Sequence, residues 1–254
     1  FPRLVRPMMA RFDALAVQTP VERERYVALG AWPERVHAIG SVKFDMSLDD
    51  TVRQAAGDLR AAIGERPVWI AASTHEGEDA IALEAHQHLL NKVPNAILLL
   101  VPRHPERFEK VFQQSQALLP TEKRSDITAA VAKDTAVIVG NTMGEMQLFL
   151  GISDVAFVGG SLVAKGGHNT LEPAAWKLPI ISGPHVFNFQ HINQLLTDAE
   201  GMVTVNNAAQ LAEQIEQWFK NDEVRKTVGS NAYSVVENNQ GALRKLMTLI
   251  NDFD

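Results

Sequence analysis

The sequence predicts an α/β fold built on a doubly wound parallel sheet. Three observations predict it. Short apolar, β-branched runs alternate with amphipathic stretches along the chain, as they do where helices cover both faces of a parallel sheet. The 254 residues, 46% of them hydrophobic, can fill one large core and part of a second. Unusual polar clusters follow directly after several of the apolar runs, where open α/β sheets bind their ligands.

The apolar runs 14–18 (ALAVQ) and 36–40 (VHAIG) are expected strands, with a helix over 21–29 between them. Two strands and a helix bury too little to stand alone, so residues 1–40 are expected to be the tail of a preceding α/β domain. The stretch 41–50 reads as a linker, and 41–254 as the C-terminal domain, closing helices included. A helix over 51–63 precedes the strand 68–72 (VWIAA). Then come helix 78–90, strand 96–101 (AILLLV), helix 105–117, strand 136–139 (AVIV), helix 144–150 and strand 155–158 (VAFV). Helix 171–176, strand 179–181, helix 192–198, strand 202–205 and helix 211–220 follow, before closing helices near 224–237 and 242–250. From residue 68 onward, six strands each followed by a helical segment make one doubly wound domain.

A formal charge of −6 leaves no global basic field, so no nucleic-acid partner is expected. The chain has no cysteine, which removes disulfides, thiolate zinc sites and a cysteine nucleophile, and suits the cytoplasm. Apolar runs such as 96–101 fall far short of the ~20 residues that span a bilayer. The chain opens Phe1-Pro2-Arg3 in what reads as structured sequence, so further residues are expected upstream.

Four polar clusters sit on one predicted rim: 73–78 (STHEGE), 102–107 (PRHPER), 140–145 (GNTMGE) and 159–172 (GGSLVAKGGHNTLE). Ser73 or Thr74 suits either a helix cap or a ligand contact. Arg103 offers a planar fork for phosphate or carboxylate. Glu145 can complement a helix dipole. Asn169 and Glu172 have capping spacing, and Pro173 fits only near a helix start. Capping leaves Gly159, Gly160, Gly166 and Gly167 unexplained. Those glycines predict a loop wrapped around an anion, with backbone N–H groups and Lys165 facing it and Glu172 free to accept sugar hydroxyls.

Other chemistries lose support. His168, His185 and His191 match no metal-ligand spacing, and His86 and His88 point to different faces of a helix, so no metal is expected. Gly159-Gly160-Ser161-Leu162-Val163 lacks the second glycine of a nucleophile elbow. No Walker loop is present, and no G-x-G-x-x-G follows the first strand of the domain.

WIAASTHEGE (69–78), LVPRHPERF (100–108), GNTMGEMQLFLGISDVAFVGGSLV (140–163), GGHNTLEPAAW (166–176) and GPHVFNFQHI (183–192) together resemble the 3-deoxy-D-manno-oct-2-ulosonic acid (Kdo) transferases of lipopolysaccharide biosynthesis. LAVQTPVERERYVALGA and GSVKFD match as well, so the resemblance runs through essentially the whole chain. It implies the GT-B architecture of two facing Rossmann-like domains, with residues 1–40 ending the acceptor domain and 41–254 holding the donor. The implied donor is CMP-Kdo and the implied acceptor a lipid A precursor, joined by an inverting transfer that needs no metal or other cofactor.

By motif, CMP contacts would fall on Pro102, Arg103, Met143, Gly144, Glu145, Asn169, Thr170, Leu171 and Glu172. Ser73, Gly160, Ser161, Lys165, Gly166, Gly167 and His168 are possible additional contacts. The family's base is a glutamate of the N-terminal domain with no counterpart in residues 1–40, so no catalytic base is assigned. The lipid acceptor implies membrane association at the cytoplasmic face of the bacterial inner membrane. Residues 1–11 (FPRLVRPMMAR), basic and amphipathic, suit either a membrane surface or a helix packed on the preceding domain. The alternatives are a UDP-sugar enzyme on the same rim and a non-catalytic nucleotide-binding module.

Overall fold

In the computed structural model, which describes residues 2–252, the chain opens with α1 (Pro2–Met9), β1 (Leu15–Val17), α2 (Pro20–Ala28), β2 (Val36–Ala38) and α3 (Asp50–Ile63). It continues through β3 (Val68–Thr74), α4 (Glu78–Leu90), β4 (Ile97–Pro102), α5 (Phe108–Gln116), β5 (Thr121–Lys123), β6 (Val137–Val139), α6 (Met146–Gly151) and β7 (Val155–Val158). It ends with α7 (Leu171–Ala175), β8 (Ile180–Ser182), α8 (Gln190–Asp198), β9 (Met202–Thr204), α9 (Ala208–Lys220), α10 (Asp222–Asn238) and α11 (Ala242–Asn251). Phe1, the start of the basic segment, lies outside the described residues, as do Phe253 and Asp254. The chain divides into two compact units, residues 1–47 with 236–254, and residues 48–235.

In the first unit β1 and β2 pair in parallel, Leu15 opposite Val36. Thr19 starts α2 through a capping box: its hydroxyl accepts from Glu22 N (3.1 Å), while the Glu22 carboxylate accepts from Thr19 N (3.3 Å). Met9, Val17, Ala31 and Val36 form a small core. One face of α1 therefore packs inward, while Leu4 and Met8 stay exposed.

The closing helix departs from the contiguous division predicted above, because α11 belongs with residues 1–47 rather than with the donor unit. The physical reason is a long-range cap. The Asp45 carboxylate accepts the backbone N–H groups of Gly241 (2.5 Å) and Leu243 (2.6 Å) at the start of α11, where unpaired donors and the helix dipole favour an anion.

In the second unit seven strands lie in the order β5-β6-β4-β3-β7-β8-β9, every neighbouring pair parallel. Alternate residues of β3 enter opposite cores, as a period of two requires. Trp69 and Ala71 join Leu83 and Leu89 of α4 and Leu211 and Ile215 of α9. Val68, Ile70 and Ala72 join Ala56 and Ile63 of α3 and Phe149 and Leu150 of α6. Phe157 and Leu99 are fully buried, and each such side chain stabilises the fold by roughly 2 kcal/mol.

The chain builds outward from β3 through β4 to β6 and β5, then crosses back to place β7 on the other side of β3. The β3–β7 boundary is thus the topological switch point, where the loops diverge and leave a crevice. The sheet holds one strand more than the six predicted. β5 is polar (TEK) and forms by pairing with β6, Thr121 opposite Val137. A 3-10 turn, Pro105–Arg107, precedes α5, and α6 begins two residues late, with Glu145 at its N-cap position.

Candidate functional site

A cavity of about 360 Å³ opens at the C-terminal ends of β3, β4 and β7. Ser73, Pro102, Arg103, Met143, Gly144, Glu145, His168, Asn169 and Glu172 line it, over an apolar floor that includes Val101, Met146 and Phe149. The remaining predicted positions lie elsewhere. Thr170 and Leu171 are buried; the Thr170 hydroxyl donates to Asn193 Oδ1 (2.6 Å), and Leu171 is core. Gly160, Ser161, Lys165, Gly166 and Gly167 are not part of the cavity lining.

The first wall turns on Ser73. Its φ of 57° is left-handed, and the β3–β4 register shifts between Ala72 and Thr74, so β3 bulges there before its last pair, Thr74 opposite Pro102. Gly159 of the neighbouring strand end explains itself at this point. A Cβ on Gly159 would stand 2.6 Å from the Ser73 carbonyl oxygen, so only glycine lets the two strand ends approach.

The PRHPER segment separates two arginines by role. Arg107 forms an ion pair with the buried Asp79 and donates through Nη1 to the Thr74 carbonyl (2.7 Å). Asp79 also accepts from the Thr74 hydroxyl (2.7 Å). Arg103 is fastened only by its backbone, whose N–H donates to the same Thr74 carbonyl (3.0 Å). Its exposed guanidinium makes no ion pair or side-chain hydrogen bond with a described residue.

Glu145 is held rather than free. Its carboxylate meets Arg124 (3.1 Å) and accepts from the Thr142 hydroxyl. Arg124 Nε is buried with no partner. Opposite, Asn169 accepts from Leu171 N (3.2 Å) and donates through Nδ2 to Glu172 Oε1 (3.1 Å). Burial pushes the Glu172 carboxyl up from its ordinary value, while the Asn169 hydrogen bond and the Arg103 charge oppose that shift.

The glycine-rich turn corrects the prediction made from it. The amides of Gly160 and Ser161, two of those expected to face a ligand, are already occupied by the chain's own anion. Glu78, fully buried at the start of α4, accepts from Gly160 N (2.7 Å), Ser161 N (3.0 Å) and Leu162 N (2.9 Å), and from His75 N (2.9 Å). Gly167 N donates to the Gly160 carbonyl (2.8 Å). The glycines therefore shape a nest around Glu78. An acid in a first helical turn is ordinary in sequence, so nothing in Glu78's position alone announced this partner.

His75 Nε2 and His168 Nε2 lie 2.8 Å apart, with the two rings parallel to within 7° and their centroids 5.0 Å apart, as in-plane, nitrogen-to-nitrogen rings are. Burial, then His75, Arg103 and His104, push the His168 imidazole down to about 4. His86 is a core histidine. Its Nδ1 accepts from Trp69 Nε1 (3.1 Å) and its Nε2 donates to the Ala136 carbonyl (2.8 Å), which fixes a neutral ring. Burial pushes it down to about 4. Among the described residues, no group of three or more His, Asp or Glu side chains is placed to hold a metal ion.

Residues 80–235 match the family described as glycosyl transferases group 1. Residues 1–46 match the one described as 3-deoxy-D-manno-octulosonic-acid transferase (kdotransferase). The chain is 42% identical over 97% of its length to a 3-deoxy-D-manno-octulosonic acid transferase of Haemophilus influenzae, and 32% identical over 98% to that of Bordetella pertussis. It spans 58% of the length of each of these two relatives. It is also similar to the crystal structure of the C-terminal CMP-Kdo binding domain of WaaA from Acinetobacter baumannii. That likeness has a TM-score of 0.68 and 35% identity, and covers 74% of this chain and 98% of that one. With the doubly wound parallel sheet, these matches make the fold class GT-B-type α/β. The chain belongs to the group 1 glycosyl transferases and, within them, to the 3-deoxy-D-manno-octulosonic acid transferases.

Proposed function

We propose that this chain supplies the donor-binding half of an inverting glycosyltransferase that moves Kdo from CMP-Kdo to a lipid A precursor in lipopolysaccharide biosynthesis. The observation that carries the reading is one cavity at the switch point in which the unpaired Arg103, the held Glu145 and the Asn169–Glu172 pair converge. Switch-point crevices are where α/β sheets hold nucleotides. The WaaA domain described as binding CMP-Kdo supports the choice of donor.

In this reading Arg103 neutralises the donor phosphate. Glu172 accepts the ribose hydroxyls, and Met143, 65% exposed, covers the base. The acceptor hydroxyl attacks the anomeric carbon and the CMP phosphate departs with the bonding pair. Arg103 stabilises the charge that develops on the leaving group, with no metal invoked. The base that deprotonates the acceptor belongs to the acceptor-binding part, and no residue of this chain is assigned that role. The acceptor is a membrane glycolipid, so the reaction takes place at the cytoplasmic face of the inner membrane. Among the described residues no helix is long and apolar enough to cross a membrane.

Calorimetric titration tests the reading. CMP binds this chain more tightly than UMP does, and Arg103→Ala weakens CMP by roughly tenfold or more. Equal affinities for CMP and UMP, or an Arg103→Ala variant that binds CMP as the parent does, would overturn it.

A further inference from the structure

His75, His104 and His168 form a cluster of rings, of which His168 lines the cavity together with Arg103. His75 packs edge-on to His104 (5.5 Å), and its ring lies nearly parallel to that of His168 (7°), the two meeting nitrogen to nitrogen. His168 lines the cavity and His75 is not part of its lining. Two imidazole nitrogens 2.8 Å apart cannot both carry hydrogen, so one ring donates to the other.

The charged groups around the two rings differ. Burial pushes the His75 imidazole down from its ordinary value; the Glu78 carboxylate opposes that shift, and His104, Lys165 and Arg107 add to it. His168 faces Arg103 and His104 besides His75, and no carboxylate offsets them. A His168 that accepts from His75 through Nε2 carries its own hydrogen on Nδ1, whereas a His168 that donates leaves Nδ1 bare, so an anion in the cavity meets a donor only in the first arrangement. The His168 ring turns its Cδ2–Nε2 edge to Gly160, since a Cβ there would meet Cδ2 at 3.1 Å and Nε2 at 3.2 Å. Its Nδ1 lies on the other edge, and no described residue hydrogen-bonds it.

We propose that His75 is a positioning residue. It donates Nε2–H to His168 Nε2 and so holds His168 in the Nδ1–H tautomer, with that N–H presented to the anionic group of the ligand in the cavity. The inference rests on the nucleotide reading above for the identity of that group, a phosphate. It adds a neutral donor beside the Arg103 cation, set by a residue that does not itself touch ligand.

The test is ¹⁵N spectroscopy of the histidine rings in the whole chain, with CMP and cytidine as probes. The expected result is the Nδ1–H form for His168 in the unliganded protein, with CMP but not cytidine shifting its Nδ1 resonance. His75→Ala returns His168 to the Nε2–H form that an isolated imidazole prefers. It also weakens CMP by about tenfold while leaving cytidine unchanged. His75→Gln, whose amide N–H stands where Nε2–H stood, restores both the tautomer and CMP affinity.

An Nε2–H tautomer for His168 in the unsubstituted chain would overturn the proposal. So would equal losses of CMP and cytidine in His75→Ala, or a His75→Gln variant that behaves like His75→Ala. Failure of CMP to bind the unsubstituted chain counts against the nucleotide reading instead. The tautomer, read without ligand, decides the role of His75 by itself.

Discussion

The carboxylate of Glu78 accepts the backbone N–H of Gly160 at 2.7 Å. With the amides of Ser161, Leu162 and His75 on the same carboxylate, Glu78 ties the start of α4 to the turn after β7. Glu78→Ala leaves several buried donors unpaired, a loss of about 3–5 kcal/mol. That lowers the melting temperature by roughly 10 °C. Formate, a free carboxylate small enough for the emptied nest, raises the melting temperature of the variant and not of the parent. An equal response of both proteins to formate would show that the nest does not select an anion.

Arg103 and Arg107 separate stability from binding. Arg103→Ala leaves the melting temperature within about 1 °C of the parent, because an exposed arginine without a partner contributes little to the fold. Arg107→Ala strands the buried Asp79 and costs about 3–5 kcal/mol. Urea unfolding of the two variants beside nucleotide titration reads the split. Loss of stability in Arg103→Ala and not in Arg107→Ala would reverse the assignment.

Acid sensitivity follows from His86. Its folded value of about 4 lies below the ordinary 6.5, so between those limits the unfolded chain binds a proton that the folded chain does not. Stability is fully present above pH 6.5 and falls as pH drops towards 4, by roughly 3 kcal/mol. His168, also pushed down to about 4, adds in the same direction. Glu172 has the opposite sign. Its raised carboxyl favours the folded state while protonated, and that contribution is lost as pH rises out of the ordinary glutamate range. Urea unfolding at several pH values checks both: His86→Gln flattens the acid limb, and Glu172→Gln gains stability relative to the parent towards neutrality.

Asp45 caps α11 from across the sequence. Asp45→Ala removes the acceptor for Gly241 and Leu243 N–H and costs about 1 kcal/mol. Hydrogen exchange at Gly241 and Leu243 accelerates, while the amides of β3 and β4 in the other unit keep their protection. Unchanged exchange at those two positions would remove Asp45 from this role.

The strands were legible where burial on both faces forces continuous apolar runs, as in β3 and β4, and the rim positions followed from those strands. β5 was not legible, because Thr121, Glu122 and Lys123 carry no apolar signal and owe their extended shape to β6. The glycine-rich turn was legible as a backbone nest for an anion. That the anion is Glu78 was not, because the two are 82 residues apart and only the β3–β7 pairing joins them. Arg103 and Arg107 are equivalent as residue types. The burial of Asp79 separates them, and that is a property of packing. Thr170 and Leu171 fell within a matched motif whose two middle side chains turn into the core while Asn169 and Glu172 line the cavity.

A crystal structure of the chain soaked with CMP is the most direct measurement of the central claim. The phosphate is expected on the Arg103 guanidinium, the ribose hydroxyls on Glu172 and the base beside Met143, with the Glu78 nest undisturbed. A nucleotide lodged outside this cavity, or a phosphate that displaces Glu78 from the amides of Gly160 and Ser161, would contradict it.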